Sequence, residues 1–428
     1  MPDPKAERRP HHPHRARLRG FGYFRRLGPG FITGAADDDP GGIGTYSQVG
    51  ASLGFSMLWT ALVSLPLAIA VEESAARLGL APGRGLSGLV KDRFPRPIAY
   101  LSIGLVVAAN TFNIGADLGS MGAAFHLLVP VSPQLMTVAF GLLILVLEVL
   151  VPYDRYARIL RWLALSILAY VVELAVIDVP WARVLRGLFL PHVRLDTESL
   201  AALVAVFGTT ISPYLFLWQA AEEEEEQQTR PDAGQVTAAQ LTAMRVDVAS
   251  GMGAGVVVMF AILVTSAATL GAHHVRTVET ASQAARALEP IAGTFAALLF
   301  TAGIVGTGLL SVPVLAGSAA YAMAECFGWR EGLSRKPRDA KAFYGVIGAA
   351  MLVGVGLNFL GINPIRALFL SAIFNGIAAP PLLLLMLILA RSRSMGGLRS
   401  GWLSTLAVGA TLVLMTALPV AFLVLLVR

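Results

Sequence analysis

Three consecutive carboxylates interrupt an otherwise apolar stretch near the start of the chain, at Asp37, Asp38 and Asp39. Each acidic side chain costs roughly 2.5–3.5 kcal/mol near the middle of a membrane helix, so such residues are typical of functional sites. The Pro-Gly-Gly sequence at 40–42 follows directly. It disfavours a continuous helix because proline lacks a backbone N–H and glycine has no helical bias. Carboxylate oxygens bind hard divalent cations, so the segment predicts a cation site where a helix breaks.

A second interruption lies at 208–214, where Gly-Thr-Thr-Ile-Ser-Pro-Tyr places Pro213 within an apolar segment. Breaks at corresponding positions of two halves indicate a transporter built from inverted repeats, in which half-helix ends and freed carbonyls bind ions. A simple proline kink and an acidic cluster at the membrane surface are the alternatives. Counting roughly 1.5 Å per residue from residue 31 places Asp39 roughly 12 Å deep, which favours a buried site.

The elements that must position these residues are membrane helices. Of the 428 residues, 55% are hydrophobic and only 14% are charged, against about 25% charged in soluble proteins. A spanning helix needs about 20 mostly apolar residues. Eleven such segments lie near 28–48, 54–77, 97–126, 133–152, 159–177, 199–220, 247–270, 290–325, 342–359, 364–390 and 402–427. The predicted fold is an all-α polytopic membrane protein whose first and sixth helices are broken at mid-membrane.

Basic residues predict the orientation of the chain. With a cytoplasmic N-terminus, 26 of the 33 Lys and Arg residues fall in cytoplasmic segments and 7 in outside loops. We therefore expect a multi-pass protein of the inner (plasma) membrane, with its N-terminus in the cytoplasm and its C-terminus outside. The lipid bilayer is an expected partner, nucleic acid is not, and we expect a monomer.

Three regions are predicted along the chain. Residues 1–27 are basic and lack an apolar core, which is typical of a disordered cytoplasmic tail. Residues 28–390 form a ten-helix transporter core, and residues 391–428 contain the eleventh helix. The single cysteine, Cys326, excludes an intrachain disulfide.

These features resemble a known family. Gly28-Pro29-Gly30 followed by Asp39-Pro40-Gly41 is similar to the first helix of the Nramp (natural resistance-associated macrophage protein) divalent-metal transporters. The sequence resembles the divergent Nramp-related branch, which includes magnesium transporters, more than the Mn/Fe core of the family. Stretches similar to the family's second, third, fifth and sixth helices lie at 75–79, 116–118, 172–191 and 208–213. The resemblance implies a LeuT-type fold, with two five-helix inverted repeats plus an eleventh helix.

The resemblance also implies a metal site formed by both breaks. Asp39 matches the family's metal-binding Asp, whereas Gly42 stands in place of its Asn and Ser212 in place of its Met. The backbone carbonyls that help to bind metal in the family belong here to Ala36 and Thr209. No cofactor other than the transported ion is expected.

These replacements change the expected cargo. A thioether selects softer metals, so its loss at Ser212, together with the added Asp37 and Asp38, favours a harder ion. Mg²⁺ keeps several of its waters and needs only one or two carboxylates, which suits a roomy site beside Gly42. Ala372 stands where the family has a tenth-helix glutamine. We expect a secondary transporter or facilitator that moves Mn²⁺ or Mg²⁺ into the cytoplasm by alternating access.

Proton coupling is expected to be weak or absent. In the family it uses ionisable groups of the third and sixth helices. Asp117 matches one of them, but Ser120, Tyr214 and Gln219 replace a Glu and two His. Candidates for a proton or ion route are Asp117, Tyr214, Gln219 and Glu223, with a purely structural role as the alternative for Asp117.

Two further patterns have mostly structural interpretations. The run Glu222–Glu226 at the cytoplasmic end of the sixth segment predicts a solvated face, with an anionic funnel for cations as the alternative. Asn110 and Asn113 lie one turn apart, which predicts hydrogen bonding between helices, with lining of the site as the alternative.

Two rival functions fit part of the pattern. Membrane prenyltransferases need two Asp-rich sites facing one cavity, but the sequence has one and no apparent nucleophile–base pair, so an enzyme is not expected. A sodium- or proton-coupled carrier of an amine or amino acid on the same fold is the alternative. Three carboxylates would repel a substrate carboxylate, which favours a cation.

Overall fold

The computed structural model describes residues 28–80, 85–151, 168–229, 236–333 and 335–427. These residues are almost entirely helical. Up to the second break the helices are α1 (Pro29–Asp37), α2 (Pro40–Leu53), α3 (Trp59–Gly79), α4 (Leu86–Arg93), α5 (Arg96–His126), α6 (Pro133–Leu150), α7 (Ala169–Glu173), α8 (Trp181–Phe189) and α9 (Thr197–Thr210). After it they are α10 (Pro213–Thr229), α11 (Ala238–Ser266), α12 (Ala281–Ala285), α13 (Glu289–Ala292), α14 (Ala296–Phe327), α15 (Lys341–Leu357), α16 (Pro364–Ala390) and α17 (Trp402–Val427).

Membrane spans account for most of the described chain. Seven helical segments are long and apolar enough to cross a membrane, and residues 40–79 form a further candidate that bends by 108°. The predicted ninth span is the shorter apolar helix α15. The predicted eighth span is one 32-residue helix, α14, which continues through Pro313. The predicted fifth span lies largely outside the described residues, as does the predicted tail at 1–27.

The first predicted span is two half-helices separated by Asp38 and Asp39. Pro40 is the first residue of α2, where its missing N–H and restricted φ are compatible with a helix start. Asp39 has extended backbone (φ −67°, ψ 171°) and accepts a hydrogen bond from the Gly42 amide, so it is the N-cap of α2. The Asp-Pro-Gly sequence thus begins a new helix.

The second break has the same construction. Helix α9 ends at Thr210, Ile211 leaves the helical region (φ −122°, ψ 58°), and Pro213 begins α10. Both prolines therefore begin half-helices. In each span the C-terminal carbonyls of one half-helix and the N-terminal amides of the next meet inside the protein, an arrangement that attracts ions.

Close helix packing brings the two breaks together. Helix α1 packs against α10 and α11, and α2 packs against α9 and α11. Glycines permit these contacts, because a Cβ on Gly34 would overlap the backbone of Gly251, and one on Gly208 would overlap the carbonyl of Ala372. Helix α5 packs against α14, α15 and α16 and supplies the third wall of the site.

Candidate metal-ion site

Asp39 is the centre of the hydrogen-bonded group between the breaks. Its Oδ1 accepts from the Gly42 amide at 2.6 Å, and its Oδ2 accepts from Asn113 Nδ2 at 3.1 Å and from the Tyr214 hydroxyl at 3.3 Å. The carboxylate is 1% exposed and lies at the positive end of α2. Three donors and a helix N-terminus favour an ionised carboxylate in this buried position.

Tyr214 connects this carboxylate to the end of α1. Its hydroxyl also lies 2.9 Å from the carbonyl oxygen of Ala36, so its single proton is shared between that oxygen and Asp39 Oδ2. This is the carbonyl that the family resemblance implies as a metal ligand. An ion that binds Asp39 directly has two possible arrangements. It binds the Ala36 carbonyl as well and breaks this hydrogen bond, or the hydrogen bond stays and the carbonyl is not a ligand.

The expectation of a roomy site beside Gly42 is wrong, because Tyr46 fills this space. A Cβ at Gly42 would lie 3.0 Å from the Asp37 carbonyl oxygen and 3.3 Å from Tyr46 Cε2. The Tyr46 hydroxyl shares a hydrogen bond of 2.9 Å with Thr210 Oγ1, which connects α2 to the end of α9. A larger residue at position 42, such as the family's Asn, therefore requires Tyr46 to move.

Hydroxyl and carboxylate oxygens remain available at the breaks. Ser212 lies between α9 and α10, is fully buried, and its Oγ has no hydrogen-bond partner among the described residues. Asp38 Oδ1 is likewise buried and without such a partner. Thr209 lies in the last turn of α9 and is buried. Buried oxygens of this kind call for an explanation, and a bound cation would supply one.

The three consecutive acids have different surroundings. Asp37 lies beside α11, where a Cβ on Gly255 would be 3.1 Å from its Oδ2. It is also within electrostatic range of Glu72 of α3, and one oxygen of each carboxylate lacks a partner in the described chain. Asp39 instead contacts α5 and α10. Its carboxylate therefore has the most complete set of donors of the three.

Asp117 lies in the same buried region, one turn beyond Asn113 on α5. Its Oδ2 accepts a hydrogen bond of 3.4 Å from the Ser311 hydroxyl of α14, and it is within electrostatic range of Asp39. Its Oδ1 has no partner among the residues described. Ser120 donates to the backbone carbonyl of Asp117 at 2.8 Å.

A hydrogen-bonded row connects α1 to the predicted cytoplasmic side. Thr33 Oγ1 donates to Gln219 Oε1 at 2.7 Å, and Gln219 Nε2 donates to Glu223 Oε1 at 3.1 Å. All three side chains are buried. The predicted route residues Gln219 and Glu223 are therefore in contact with each other, one turn apart on α10, and Thr33 was not predicted.

The prediction of a solvated face for Glu222–Glu226 is wrong. Glu223 and Glu224 are buried, and Glu226 is the exposed member of the run. Helix α10 continues to Thr229 and packs against α3, α4 and α14, so these carboxylates lie under neighbouring helices. The Tyr321 hydroxyl donates to Glu225.

Carboxylates from three elements meet at this end of α10. Oxygens of Glu224, Glu325 and Glu331 lie within 4.8 Å of one another. Glu325 accepts from the Gly88 amide at 2.8 Å and so caps α4. Glu331 lies in the loop after α14. Burial, together with the nearby Glu224 and Glu225, raises its pKa to about 8.

Two residues that contact Asp39 or its neighbours, Tyr46 and Asn113, were not predicted as site residues or were so only as an alternative. Tyr46 lies seven residues after Asp39, a spacing of two helical turns on one face, and that spacing was a usable signal. Asn113 was expected mainly to hydrogen-bond between helices, and its partner is Asp39 itself. Asn110 does bond between helices, to the Leu315 carbonyl at 3.3 Å.

The model of the family described as natural resistance-associated macrophage protein-like matches residues 30–425, nearly the whole chain. The chain belongs to the Nramp family. It is therefore a multi-pass membrane transporter, and its LeuT-type fold is the one that the family resemblance implied.

Individual Nramp relatives are distant. A "divalent metal cation transporter MntH" of Pectobacterium carotovorum is 30% identical over 301 residues, covering 67% of this chain and 69% of the relative. The "divalent metal cation transporter MntH" of Acidiphilium cryptum is 27% identical over 408 residues, covering 91% of this chain and 88% of the relative. The crystal structure of the Eremococcus coleocola manganese transporter, in complex with an aromatic bis-isothiourea substituted compound, has a TM-score of 0.72 at 19% identity and covers 94% of this chain and 87% of that one.

Proposed function

We propose that this Nramp protein carries the divalent cations Mg²⁺ or Mn²⁺ into the cytoplasm by alternating access, with weak or no proton coupling. The observation that supports this most is the position of Asp39, a buried carboxylate at the N-terminus of α2 whose Oδ2 lies 3.3 Å from the hydroxyl of Tyr214 at the start of α10. The two relatives named above are divalent metal cation transporters, and the structural neighbour is a manganese transporter.

The donor set supports a hard cation. Residues 36–42 and 209–212 offer carboxylate, hydroxyl and carbonyl oxygens and contain no sulfur or imidazole. Oxygen ligands suit Mg²⁺ and Mn²⁺, whereas sulfur favours softer metals. Because the Ala36 carbonyl is bonded to Tyr214, the ion is expected to keep part of its water shell, which Mg²⁺ gives up reluctantly.

The groups around Asp117 support weak coupling. Its side chain accepts a hydrogen bond from Ser311, and Ser120, which stands where the family has a Glu, donates to its backbone carbonyl. A pH-sensing dye inside vesicles tests this: metal uptake is expected to leave the internal pH unchanged. Acidification in step with metal uptake would overturn that part of the proposal.

Calorimetry separates the proposal from the organic-solute alternative. Purified protein titrated with Mn²⁺ or Mg²⁺ is expected to give saturable heat, and titration with amino acids or organic amines is not. Asp39→Ala is expected to remove the metal heat, while Glu198→Gln on the exposed first turn of α9 is expected to keep it. Saturable heat from an organic solute alone would reject metal transport.

A further inference from the structure

Helix α8 (Trp181–Phe189) has three chemically distinct faces. Val184 and Gly187 are buried against the rest of the protein. Arg183 and Arg186 are exposed. The third face consists of large apolar side chains that are 49–64% exposed, and these are Trp181, Leu185 and Phe189.

The order of these faces around the helix follows from their spacing. Trp181, Leu185 and Phe189 are four residues apart and form one apolar stripe. At roughly 100° per residue, Arg186 lies roughly 60° from the edge of this stripe at Phe189, and Arg183 roughly 60° further on. Arg186 therefore borders the apolar stripe, whereas Arg183 is turned away from it.

Helix α8 lies beside the start of a candidate spanning helix. The helix packs against the 3-10 turn Gly54–Met57 and against α3, the spanning helix that starts at Trp59. Gly187 packs directly on the carbonyl oxygen of Phe55, a contact that a side chain would prevent. With 9 residues, α8 is roughly 13 Å long, too short to span a bilayer. Its neighbours place it beside the predicted outer end of α3.

Arg183 has different surroundings from Arg186. It lines a cavity of about 500 Å³ at this end of the protein, together with Asp178, His274 and Arg276. Arg186 does not line this cavity. The two arginines of this short helix thus have different surroundings. Arg183 faces a polar cavity, and Arg186 lies at the border of the apolar stripe.

We propose that α8 lies in the bilayer interface, on the predicted outer face, and that Arg186 binds the phosphate of an anionic phospholipid. Interfacial helices insert an apolar face among acyl chains and place arginines at the headgroups. Guanidinium pairs with phosphate through two hydrogen bonds, so charge and geometry both match this occupant. The Gly187–Phe55 contact connects the lipid-bound helix to the turn that follows α2, and so to the outer half of the first broken span.

Insertion is tested with full-length protein in bilayers that contain brominated phospholipids. Bromine quenches tryptophan fluorescence at short range. The amount of tryptophan fluorescence that bromine quenches is expected to fall in Trp181→Phe. The decrease should equal the contribution of Trp181 to the total emission. An unchanged quenched signal in the variant would place Trp181 in water and overturn the proposal.

Lipid binding is tested by titrating the detergent-solubilised protein with fluorescent phosphatidylglycerol. Arg186→Gln is expected to weaken binding about fivefold, the effect of one basic residue near an anionic surface. Arg183→Gln, which removes the same charge from the same helix, is the matched control and is expected to leave binding unchanged. Millimolar inorganic phosphate is not expected to compete.

Each other result overturns the assignment. Equal weakening by both variants would indicate general charge attraction, and competition by free phosphate would indicate a soluble anion. A protein dimer in lipid nanodiscs that Leu185→Ala dissociates would assign the apolar stripe to a second copy of the chain.

Discussion

The hydroxyl group of Tyr214 donates a hydrogen bond to the carbonyl oxygen of Ala36, 2.9 Å away, and so connects the start of α10 to the end of α1. The same hydroxyl lies 3.3 Å from Asp39 Oδ2. One tyrosine therefore contacts two of the oxygens that the family resemblance implies as metal ligands. Under the proposed function, an ion that binds here would compete with a hydroxyl group for both oxygens.

Tyr214→Phe is expected to shift selectivity from Mg²⁺ toward Mn²⁺. Without the hydroxyl, the Ala36 carbonyl becomes free to replace a water on the ion, and Mn²⁺ loses water more readily than Mg²⁺. The loss of one hydrogen bond of about 1 kcal/mol predicts roughly a fivefold change in the ratio of half-saturating concentrations. Uptake of each ion by proteoliposomes measures this ratio. Tyr344→Phe, whose hydroxyl bonds the Arg335 carbonyl, is the control and should not change it.

Gly42→Ala is expected to destabilise the protein by about 1–3 kcal/mol, the usual cost of overpacking. The new methyl group would lie 3.0 Å from the Asp37 carbonyl oxygen, which is backbone and cannot move freely. Thermal unfolding in detergent measures the effect. Gly253→Ala is the matched control, because that helical glycine has open space around it. Equal melting temperatures for the two variants would show that Gly42 is not confined.

Asn113→Ala is expected to raise the half-saturating metal concentration roughly tenfold. Its amide donates to Asp39 at 3.1 Å, and a hydrogen bond to a charged group is worth about 1.5–3 kcal/mol. Metal-uptake kinetics measure the change. Asn110→Ala, one turn away and bonded to the Leu315 carbonyl, should have a much smaller effect on metal affinity. Equal effects of the two variants would argue against a specific role of Asn113.

Glu331 is expected to make stability depend on pH. Its folded pKa of about 8 is above the value near 4.3 for an unfolded glutamate, so the folded state retains a proton that the unfolded state releases. The stabilisation is complete below about pH 4 and is lost as pH rises to about 8. Melting temperatures between pH 5 and 9 should fall less steeply in Glu331→Gln than in the parent chain. The same slope in the Glu331→Gln variant and in the parent chain would contradict this role of Glu331.

The local chemistry of the sequence was enough to predict both breaks. In Asp39-Pro40 and in Ser212-Pro213, a residue type that is common at helix N-caps precedes a proline, which is suited to the first helical position. The order of spans followed from hydropathy in the same way. These features depend on neighbours in the chain, which the sequence displays directly.

Features that depend on helix packing were not predictable. Asn113 is 74 residues from Asp39, and its choice of partner depends on how α5 packs against the first break. The burial of Glu223 and Glu224 has the same origin, since a run of charges reveals nothing of the helices that cover it. The separation of Asp37 from Asp39 also required the positions of α11 and α5.

Asp39 is central to the proposed transport, and Mn²⁺ uptake by proteoliposomes containing Asp39→Ala tests its role most directly. The variant is expected to lose uptake, because no other carboxylate of the described chain lies at the start of α2 with the same three donors. Glu198→Gln, reconstituted at equal density, controls for insertion and is expected to transport normally. Uptake by the Asp39 variant at the parent rate would contradict a cation site between the two helix breaks.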